Sequence, residues 1–555
     1  MEQTLAEDRE SVRTVQMLGG ANQDAARPAF RNPVMARRFS RFGFPSESAL
    51  LWTVWKFDMR VLLLYSNQSR DLTPAPPIGL SYVATATRAA GHEVLFLDLF
   101  SSHDVANDLR HSLQRFHPDM VGISVRNIDN VVCQHPKWYL GDLAELIALV
   151  RQTCGAKIVV GGPAISILGA PALEHLDADF AVVGEGETMF PQLLAAIEQQ
   201  QPFHGIAGLC FRDNGRIAAV PPSRLSRFGA SGMEQWIDWK TYERLGGTWT
   251  LQTKRGCPLQ CIYCTYPSLE GRVCRRRTPA EIADEMEHVM RVRGPRTFEF
   301  VDSTFNVPVE HACEICEEII RRRLKVNLTA MGINPLTVSR ELLALMKRAG
   351  FNSMMITPES ADSTMLKNLC KGFTVEDLDR TARLVGESGM SSSWFFLLGG
   401  PGETRDTAET TISFAEKRLN RKGCLSIFMT GIRVFPGTEL EKQARAEGRL
   451  AADADLSKPF FYISAGVEES WLIERINGAV VVNPGVVHAA EEDSSVVERL
   501  YRRVLHQLGV PPPYWRFLPG FLRLWPVHRL RATRPFVGRP AGDINRTVDA
   551  EMPAK

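Results

Sequence analysis

The sequence predicts an α/β protein with two successive parallel-sheet domains, and three observations lead to this fold class. Short buried strands alternate with amphipathic helices from about residue 60 to residue 200, and the same alternation begins again near residue 248. Between the two series, Asp213-Asn214-Gly215 is a strong β-hairpin signal. A chain of 555 residues is also too long for one hydrophobic core. We therefore expect an N-terminal doubly wound, Rossmann-like domain, a partial (β/α)6 TIM-type barrel and a mainly helical C-terminal extension.

Shifts in composition and pattern place the domain boundaries. We predict a disordered arm at 1–58, a first domain at 59–200, a hairpin and linker at 201–247, a barrel at 248–440 and an extension at 441–555. The arm is polar and weakly periodic, which is typical of disorder.

Composition narrows the possible functions. The chain has 65 basic and 63 acidic residues and a formal net charge of +2, which makes no electrostatic case for nucleic acid as a partner. The sequence has no run of 18 or more apolar residues, so we predict no membrane span. A segment at 36–41 resembles a twin-arginine export signal but lacks the long apolar stretch that export requires. Eleven Cys residues, three of them crowded into one loop, indicate reduced thiols, so we expect a cytoplasmic protein.

In the first domain, strands are predicted at 60–65, 93–97, 120–125, 157–160 and 180–183. Ligands of a doubly wound sheet bind at the carboxyl ends of its strands. Those ends carry glycines and polar residues, which let a large ligand lie against the backbone, although such turns are also needed by the fold alone. The residues are Ser124, Arg126 and Asn127 after the third strand, Gly161, Gly162 and Pro163 after the fourth, and Gly184, Glu185 and Gly186 after the fifth.

In the second domain, strands are predicted at 248–253, 297–301, 327–331, 353–357, 392–398 and 425–434. Thr278-Pro279-Ala280-Glu281 is a helix start signal, and it predicts a helix at 278–293. Six strands with intervening helices favour a partial barrel, whose chemistry lies at the strand carboxyl ends.

One loop after the first barrel strand concentrates three thiols. It reads Lys254-Arg255-Gly256-Cys257-Pro258-Leu259-Gln260-Cys261-Ile262-Tyr263-Cys264. This spacing suits three corners of a cuboidal iron–sulfur cluster, and the fourth iron, without a local ligand, is then where a substrate or cofactor binds. The alternatives are buried thiols or a zinc loop, for which Cys274 is the nearest candidate fourth ligand.

The loop, with Tyr263 just before its last Cys, resembles that of the radical S-adenosylmethionine (SAM) superfamily. The resemblance implies that Cys257, Cys261 and Cys264 bind a [4Fe-4S] cluster whose open iron chelates SAM. It also implies that an electron from the cluster cleaves SAM to a 5′-deoxyadenosyl radical. An electron donor such as flavodoxin or ferredoxin is then the expected protein partner.

The first domain is similar to the cobalamin-binding domain of the cobalamin-dependent radical SAM family over about residues 60–200. The similarity rests on Pro76-Pro77-Ile78-Gly79-Leu80, on the Gly161-Gly162-Pro163 turn and on Val182-Val183-Gly184-Glu185-Gly186-Glu187. It implies cobalamin contacts from eleven residues, which are Pro77 and Gly79 together with the nine strand-end residues named above. None of the twelve His residues has Asp two positions before it, so the resemblance implies a cobalt without a His ligand from that motif, faced by the loop 66–77.

Segments of the barrel resemble the same family. Residues 399–404 match its GGPGET turn, and residues 431–440 match its G-x-R-x-x-P-G-T-x-L segment. The resemblance implies that Glu359 and Ser360 contact the ribose and methionine portion of SAM, and that the turn lies near its adenine. Where many radical SAM enzymes have Gly-Gly-Glu, this chain has Asp302-Ser303. The expected SAM contacts are Tyr263, Asp302, Glu359, Ser360, Gly399, Gly400, Pro401, Gly402 and Arg433. The alternative for Glu359 is a carboxylate near a helix N-cap.

Two further features have structural interpretations. Cys313 and Cys316 share one face of a helix predicted at 309–322, so we expect buried thiols rather than a second metal site. Another helix is predicted at 491–508, and the segment 515–540 interleaves Arg with aromatic residues. Such a tail either rests on an anionic membrane surface or packs back on its own protein, and we expect the second.

The resemblance implies a methyltransferase that moves a methyl group from methylcobalamin to an unactivated carbon by way of the SAM radical. One alternative is a related enzyme that cyclises, rearranges or oxidises its substrate without methylation. Another is a non-catalytic cobalamin sensor or carrier. The expected substrate is a small molecule or lipid held between the two domains.

Overall fold

The structure, a computed structural model, describes residues 59–67, 74–489 and 496–524, without the side chains of 496–499. Four predicted features lie wholly or partly outside the described residues. These are the arm predicted at 1–58, half of the loop predicted to face cobalt (residues 68–73), residues 491–495 of the last predicted helix and the tail beyond residue 524.

The first domain is a seven-stranded sheet covered by helices. Its strands are β1 Arg60–Tyr65, β2 Glu93–Asp98, β3 Met120–Ser124, β4 Lys157–Gly161, β5 Phe180–Val182, β6 Leu209–Asp213 and β7 Arg216–Ala219. Its helices are α1 Ile78–Ala89, α2 Val105–Phe116, α3 Tyr139–Thr153, α4 Pro163–Leu168, α5 Ala172–His175 and α6 Gly186–Glu198. The predicted strands are confirmed to within one residue at each end. Most of them are short runs of buried apolar residues, whereas β2 is only partly buried.

The strand order of this sheet is β2-β1-β3-β4-β5-β6-β7, with β1 to β5 parallel. The order reverses between β1 and β3, and a doubly wound sheet opens a ligand crevice at such a point. The predicted hairpin is confirmed: Asn214 and Gly215 both have positive φ, at 49° and 79°, as the tight turn between β6 and β7 requires. Because β6 pairs antiparallel with β5, the hairpin extends the first sheet.

The second domain is a partial barrel. Its strands, with two short pairs beside the main sheet, are β8 Trp249–Leu251, β9 Lys254–Arg255, β10 Arg275–Arg276, β11 Thr297–Phe300, β12 Asn327–Ile333, β13 Phe351–Glu359, β14 Ser391–Leu398, β15 Cys424–Thr430, β16 Ile432–Arg433, β17 Phe461–Tyr462 and β18 Val486–His488. Its helices, with those of the linker and extension, are α7 Trp239–Arg244, α8 Tyr266–Glu270, α9 Pro279–Val292, α10 Val309–Arg321, α11 Arg340–Ala349, α12 Ser363–Asn368, α13 Val375–Ser388, α14 Arg405–Arg418, α15 Glu439–Ala446, α16 Glu469–Val482, α17 Val496–Gln507 and α18 Leu518–Leu522.

The main sheet of the barrel has the order β18-β15-β14-β13-β12-β11-β8, and all of its pairings are parallel. The six predicted strands are present, and the seventh, β18, comes from the extension and was not predicted. The strand predicted at 425–434 is divided by Gly431, whose φ is 77°, into β15 and β16. The carboxyl ends of β11, β13, β14 and β15 therefore lie along one edge, where the predicted SAM residues begin.

Large aromatic side chains fill the barrel core. Trp249 and Trp394 are fully buried, and the rings of Phe396 and Phe428 on neighbouring strands stack with their centroids 4.9 Å apart. Burying one such side chain stabilises the fold by about 1.5–3 kcal/mol.

The structure bears out in part the predictions for Cys313, Cys316 and the C-terminal tail: Cys313 is only partly buried, and the tail is described only to residue 524. Cys316 is buried in the barrel core and Cys313 packs against that core from the same helix, α10. Arg516 donates to the carbonyl oxygen of Pro511, and Arg523 donates to Asn420, so both fold back on the protein. No helix in the described part of the chain has the length and apolar character needed to cross a membrane.

Candidate functional site

A cavity of about 440 Å³ lies at the carboxyl edge of the first sheet. All eleven residues expected to contact cobalamin line it, although they come from four separate loops; they are Pro77, Gly79, Ser124, Arg126, Asn127, Gly161, Gly162, Pro163, Gly184, Glu185 and Gly186. The parallel strands bring these loops to one edge, as expected for ligand binding in a doubly wound sheet. The geometry thus gathers the predicted set around one space, and its role in binding cobalamin stays a prediction.

The opposite wall of the cavity belongs to the barrel. Gln252, Arg255, Tyr266, Leu269 and Glu270 line it from either side of the cysteine loop. Arg255 stands two residues before Cys257 in the sequence, and Tyr266 two residues after Cys264. The cavity is therefore bounded by the segments that flank the three thiols. This wall is not predictable from the sequence, because only the packing of the two domains creates it.

Two glycines leave space in the cavity that a side chain would fill. A Cβ built at Gly79 would meet no atom within 4 Å, and one at Gly161 would lie 3.8 Å from Val182. Gly162 differs, because its φ is 96° and a Cβ there would lie 2.7 Å from the carbonyl oxygen of Val125. Gly162 is thus required by the turn itself, whereas Gly79 and Gly161 keep room for a bulky cofactor. The lining residues fit cobalamin in this respect.

Buried ion pairs join the two walls. The Arg255 guanidinium forms a hydrogen bond with Glu187 and lies 3.6 Å from Glu185, and Arg275 donates to Glu185 at 2.9 Å. Burial opposes ionisation of Glu185, but the hydrogen bond from Arg275 and the charge of Arg255 outweigh it and hold the pKa of this carboxyl below its usual value. Arg255 also lies over the ring of Phe228, at 4.3 Å from its centroid. The carboxylate of Glu185 is therefore engaged with the barrel.

The cysteine loop is anchored by its backbone. Gly256 has a φ of 97°, and a Cβ there would lie 2.1 Å from the carbonyl oxygen of Val273, so only glycine fits. Its N–H donates to Glu270 at 3.0 Å, and the N–H of Cys257 donates to Gly271 at 2.9 Å. Both anchors lie at the start of the loop, which fixes the position from which the three thiols extend.

The three thiols lie in a largely buried setting. Cys257 is buried, while Cys261 and Cys264 are partly exposed. Burial raises the pKa of Cys264 to about 12 and also raises that of Cys261. Since thiolates are the iron ligands, cluster assembly must displace protons from this loop. Within the described ranges, no group of three or more His, Cys, Asp or Glu side chains is arranged to hold a metal ion. A cuboidal cluster, by contrast, binds each thiolate to a different iron.

Asp302 holds the base of the cysteine loop. One of its carboxylate oxygens accepts hydrogen bonds from the backbone of Thr253 and Lys254, at 2.7 and 3.2 Å. The other accepts from the Thr253 hydroxyl at 2.6 Å and the Lys254 ammonium at 3.2 Å. Lys254 and Asp302 are both fully buried, so they form a paired charge within the barrel. The expected contact between Asp302 and the SAM amino group stays a prediction beside this observed role.

Glu359 stands in a strained and buried position at the carboxyl end of β13. Its φ of 62° is unfavourable for a residue with a side chain, and strain of this kind clusters at functional sites. Lys371 forms an ion pair with Glu359 and donates to the Tyr263 hydroxyl at 3.0 Å. The Lys371 charge also acts on the Cys261 thiol and opposes the rise in pKa that burial causes there. Lys371 was not predicted from the sequence, because a single Lys between Cys370 and Gly372 has no periodicity or motif to mark it.

The other expected SAM residues are held firmly in place. The Ser360 hydroxyl lies 2.8 Å from that of Thr411. In the turn of Gly399, Gly400, Pro401 and Gly402, the buried Glu403 carboxylate accepts from the N–H groups of Gly399 and Gly400, at 2.5 and 3.0 Å. Burial raises the pKa of Glu403 to about 7 despite these two hydrogen bonds. Arg433 is paired with Asp129 of the first domain and not with a residue of the cysteine loop.

Substitution of Lys371 by Met is expected to lower the free energy of unfolding by about 3–5 kcal/mol, because it leaves the Glu359 carboxylate buried without its cation. Urea unfolding under anaerobic conditions measures this change. The double variant Lys371→Met, Glu359→Gln should recover most of the loss. Arg380→Met, which removes an exposed partner of Asp377, is the control and should cost less than about 1 kcal/mol. A single variant as stable as the wild type would contradict the pairing.

Comparison with known proteins agrees with this arrangement. A sequence model of the B12 binding domain matches residues 72–194, and one of the radical SAM superfamily matches residues 251–415. The chain is 26% identical over 387 residues to the uncharacterized methyltransferase PH0819 of Pyrococcus horikoshii. The aligned region covers 68% of this chain and 80% of that protein. It is 25% identical over 447 residues to tryptophan 2-C-methyltransferase of Streptomyces laurentii, covering 69% and 74%.

Among solved structures, the chain resembles the radical SAM methyltransferase TsrM from Kitasatospora setae with cobalamin and a [4Fe-4S] cluster bound. The TM-score is 0.73 at 23% identity, with coverage of 86% of this chain and 100% of that chain, so the two share a fold. The predicted fold class is thereby confirmed. With the two domain matches in the predicted order, the chain belongs to the cobalamin-dependent radical SAM enzymes, whose cofactors are a [4Fe-4S] cluster, SAM and cobalamin.

Proposed function

We propose that this enzyme transfers a methyl group to an unactivated carbon of a small-molecule substrate. Cobalamin is placed in the cavity between the domains, the cluster on Cys257, Cys261 and Cys264, and SAM beside Glu359 and the turn at 399–402. A flavodoxin or ferredoxin supplies the electron. When bound, the cluster and SAM supply an organic radical and cobalamin supplies the methyl group, while the protein binds and orients these groups.

The shared cavity is the observation that carries the proposal. One of its walls holds every residue expected to contact cobalamin, and the other belongs to the segments on either side of the cysteine loop. A cofactor in this cavity lies beside the segment that carries the three thiols. A carrier that only stored cobalamin would need the first wall but not the second. The arrangement therefore favours an enzyme in which the two cofactors act on one substrate.

Residues of the chain perform three tasks in this scheme. The ion pairs of Arg255 with Glu185 and Glu187 keep the two walls of the cavity together. The Lys254–Asp302 pair holds the base of the cysteine loop beside the carboxyl end of β11. Glu359 and Lys371 form a compact, buried polar pair whose charges act on the Cys261 thiol. Each task is one of orientation, which is what the protein contributes when cofactors perform the chemistry.

The relatives support methyl transfer in particular. Both curated relatives reported above carry the name methyltransferase, and this chain spans 80% and 74% of their lengths. One of these names gives tryptophan as the substrate and the other gives none. We therefore propose a substrate class, a small molecule or lipid, rather than one compound.

The proposal is tested with protein reconstituted anaerobically with iron, sulfide and hydroxocobalamin, and then reduced. The protein is incubated with SAM that carries a deuterated methyl group and with a small-molecule and lipid extract of cells that produce it. We expect 5′-deoxyadenosine and a product that has gained the labelled methyl group, both measured by mass spectrometry. The Cys257→Ala variant, prepared in the same way, is the control.

Each of the other possible results of this experiment would indicate a different function. Cluster-loaded protein that yields no 5′-deoxyadenosine would contradict radical chemistry. Formation of 5′-deoxyadenosine with an unlabelled product of altered mass would instead support a cyclase, mutase or oxidase. Cobalamin binding without SAM cleavage would support a carrier or sensor.

A further inference from the structure

A loop of the first domain reaches the carboxyl edge of the barrel. This docking loop, residues 125–138, connects β3 to α3, and its two arms are held together by an antiparallel bridge between Asp129 and Trp138. The Asn130 side chain ties the turn, accepting from the N–H of Lys137 at 3.0 Å and donating to the carbonyl oxygen of His135 at 2.8 Å. Val131 has a φ of 53°, which is unfavourable for a β-branched residue and is maintained only where surrounding contacts hold it.

The tip of the docking loop is buried against the barrel. The Gln134 amide donates to Glu469 at 2.6 Å and also forms a hydrogen bond with Thr430, the last residue of β15. Cys133 is buried against Phe461, and a Cβ built at Gly431 would lie only 3.0 Å from its sulfur. The loop therefore meets the barrel where a reactive site of this fold lies, at the strand carboxyl ends.

An ion pair without solvent exposure secures the base of the loop. Asp129 lies in the docking loop, and its carboxylate accepts from Nε of Arg433 at 2.6 Å, with side-chain exposures of 0% and 3%. The other two guanidinium nitrogens donate to the carbonyl oxygens of Val434 and of Leu456. The guanidinium also lies 4.8 Å from the centroid of the Phe435 ring. Every nitrogen of Arg433 is thus engaged at the junction between the domains.

These contacts differ from the role that the family resemblance implies. A guanidinium that contacts SAM needs a donor directed at that ligand, whereas the donors of Arg433 serve Asp129 and two backbone carbonyls. The docking loop, in turn, carries Arg126 and Asn127, which line the cavity only three and two residues before Asp129. Because so short a segment transmits displacement, movement of Asp129 away from Arg433 would shift that wall of the cavity.

We propose that Arg433 and Asp129 form an inter-domain clasp, which holds the docking loop and the adjoining cavity wall in the position that binds cobalamin. Arg433 is then a positioning residue for cobalamin rather than a contact of SAM. This inference rests on the proposed location of cobalamin in the cavity. In this proposal, the G-x-R-x-x-P-G-T-x-L segment, residues 431–440, helps to join the two domains.

The test compares Arg433→Gln, Asp129→Asn and the double variant, each reconstituted with its cluster. Two quantities are measured: the affinity for hydroxocobalamin, by spectroscopic titration, and the change that SAM causes in the electron paramagnetic resonance spectrum of the reduced cluster. We expect the affinity of both single variants for cobalamin to fall by about tenfold or more, because each substitution breaks a buried ion pair. Both variants should retain the change that SAM causes in the spectrum. The double variant leaves no buried charge unpaired, so weaker cobalamin binding by this variant cannot be attributed to misfolding around an unpaired charge. We expect it still to bind cobalamin more weakly than the wild type.

The opposite pattern would overturn the proposal. If Arg433 contacts SAM, Arg433→Gln will lose the SAM-induced change while Asp129→Asn binds cobalamin like the wild type. Arg340→Gln, which breaks an exposed pair with Glu387, is the matched control and should alter neither quantity. Failure of the wild type itself to bind cobalamin would contradict the proposed function, which distinguishes that failure from failure of the clasp.

Discussion

Replacement of Cys257, Cys261 or Cys264 by Ala is expected to reduce the iron content of the reconstituted protein from about four atoms per chain to nearly none. Each thiol is one of three ligands supplied by a single loop, and a cluster held at two corners is poorly retained. Cleavage of SAM should fall below detection in each variant, because the iron that binds SAM is lost as well. Iron analysis, the visible absorption spectrum and 5′-deoxyadenosine formation measure these losses.

Cys274 provides the matched control. Its thiol lies beside the loop, 3.4 Å from the carbonyl oxygen of Gly256, and it is the nearest additional Cys in the sequence. If the loop binds a cluster with an open iron, Cys274→Ala should retain both iron and SAM cleavage. If the loop were a zinc site completed by Cys274, the same variant would lose its metal, and the purified protein would contain zinc in place of iron.

The elements of the fold were predictable where the chain carries a strong local pattern. β1 was predicted with its observed ends, since Val61 to Tyr65 are all buried and apolar. The hairpin at Asn214 was predictable from its turn chemistry alone. β18 was not, because three residues, Val486 to His488, carry no periodicity that distinguishes a strand from a loop. The pairing of β6 with β5 was equally hidden, since local sequence does not specify which edge a hairpin joins.

The candidate site shows the same division between local and long-range information. Residues such as Gly161 and Asn127 could be predicted because parallel strands necessarily bring their carboxyl ends to one edge. Arg255 and the Asp129–Arg433 pair could not, because their buried ion pairs join residues far apart in the sequence. Lys371 could not, because no motif marks it. The distance in sequence between Asp129 and Arg433 is 304 residues, and nothing in the sequence around Asp129 marks it as a partner of Arg433. For Arg433, the motif identified the residue while its contacts suggest a different role.

Substitution of Gly161 by Leu is expected to weaken cobalamin binding by about a hundredfold or more while leaving the fold and the cluster intact. A Cβ at this position would touch only Val182, at an ordinary contact distance of 3.8 Å, so the added side chain extends into the cavity. It would occupy volume that the cofactor needs, and close-packed binding sites tolerate such overlap poorly. Titration with hydroxocobalamin measures the affinity, and thermal unfolding checks the fold.

Gly155→Leu is the matched control, because Gly155 precedes the same strand and a Cβ there would meet nothing within 4 Å. This variant should bind cobalamin like the wild type. Gly161→Leu with unchanged affinity would show that cobalamin does not occupy the cavity. With the expected loss, the variant should still cleave SAM but transfer no methyl group, whereas the Cys variants should do neither. That contrast separates the two walls of the cavity by function: the first sheet is needed for the methyl donor, and the cysteine loop is needed for the radical.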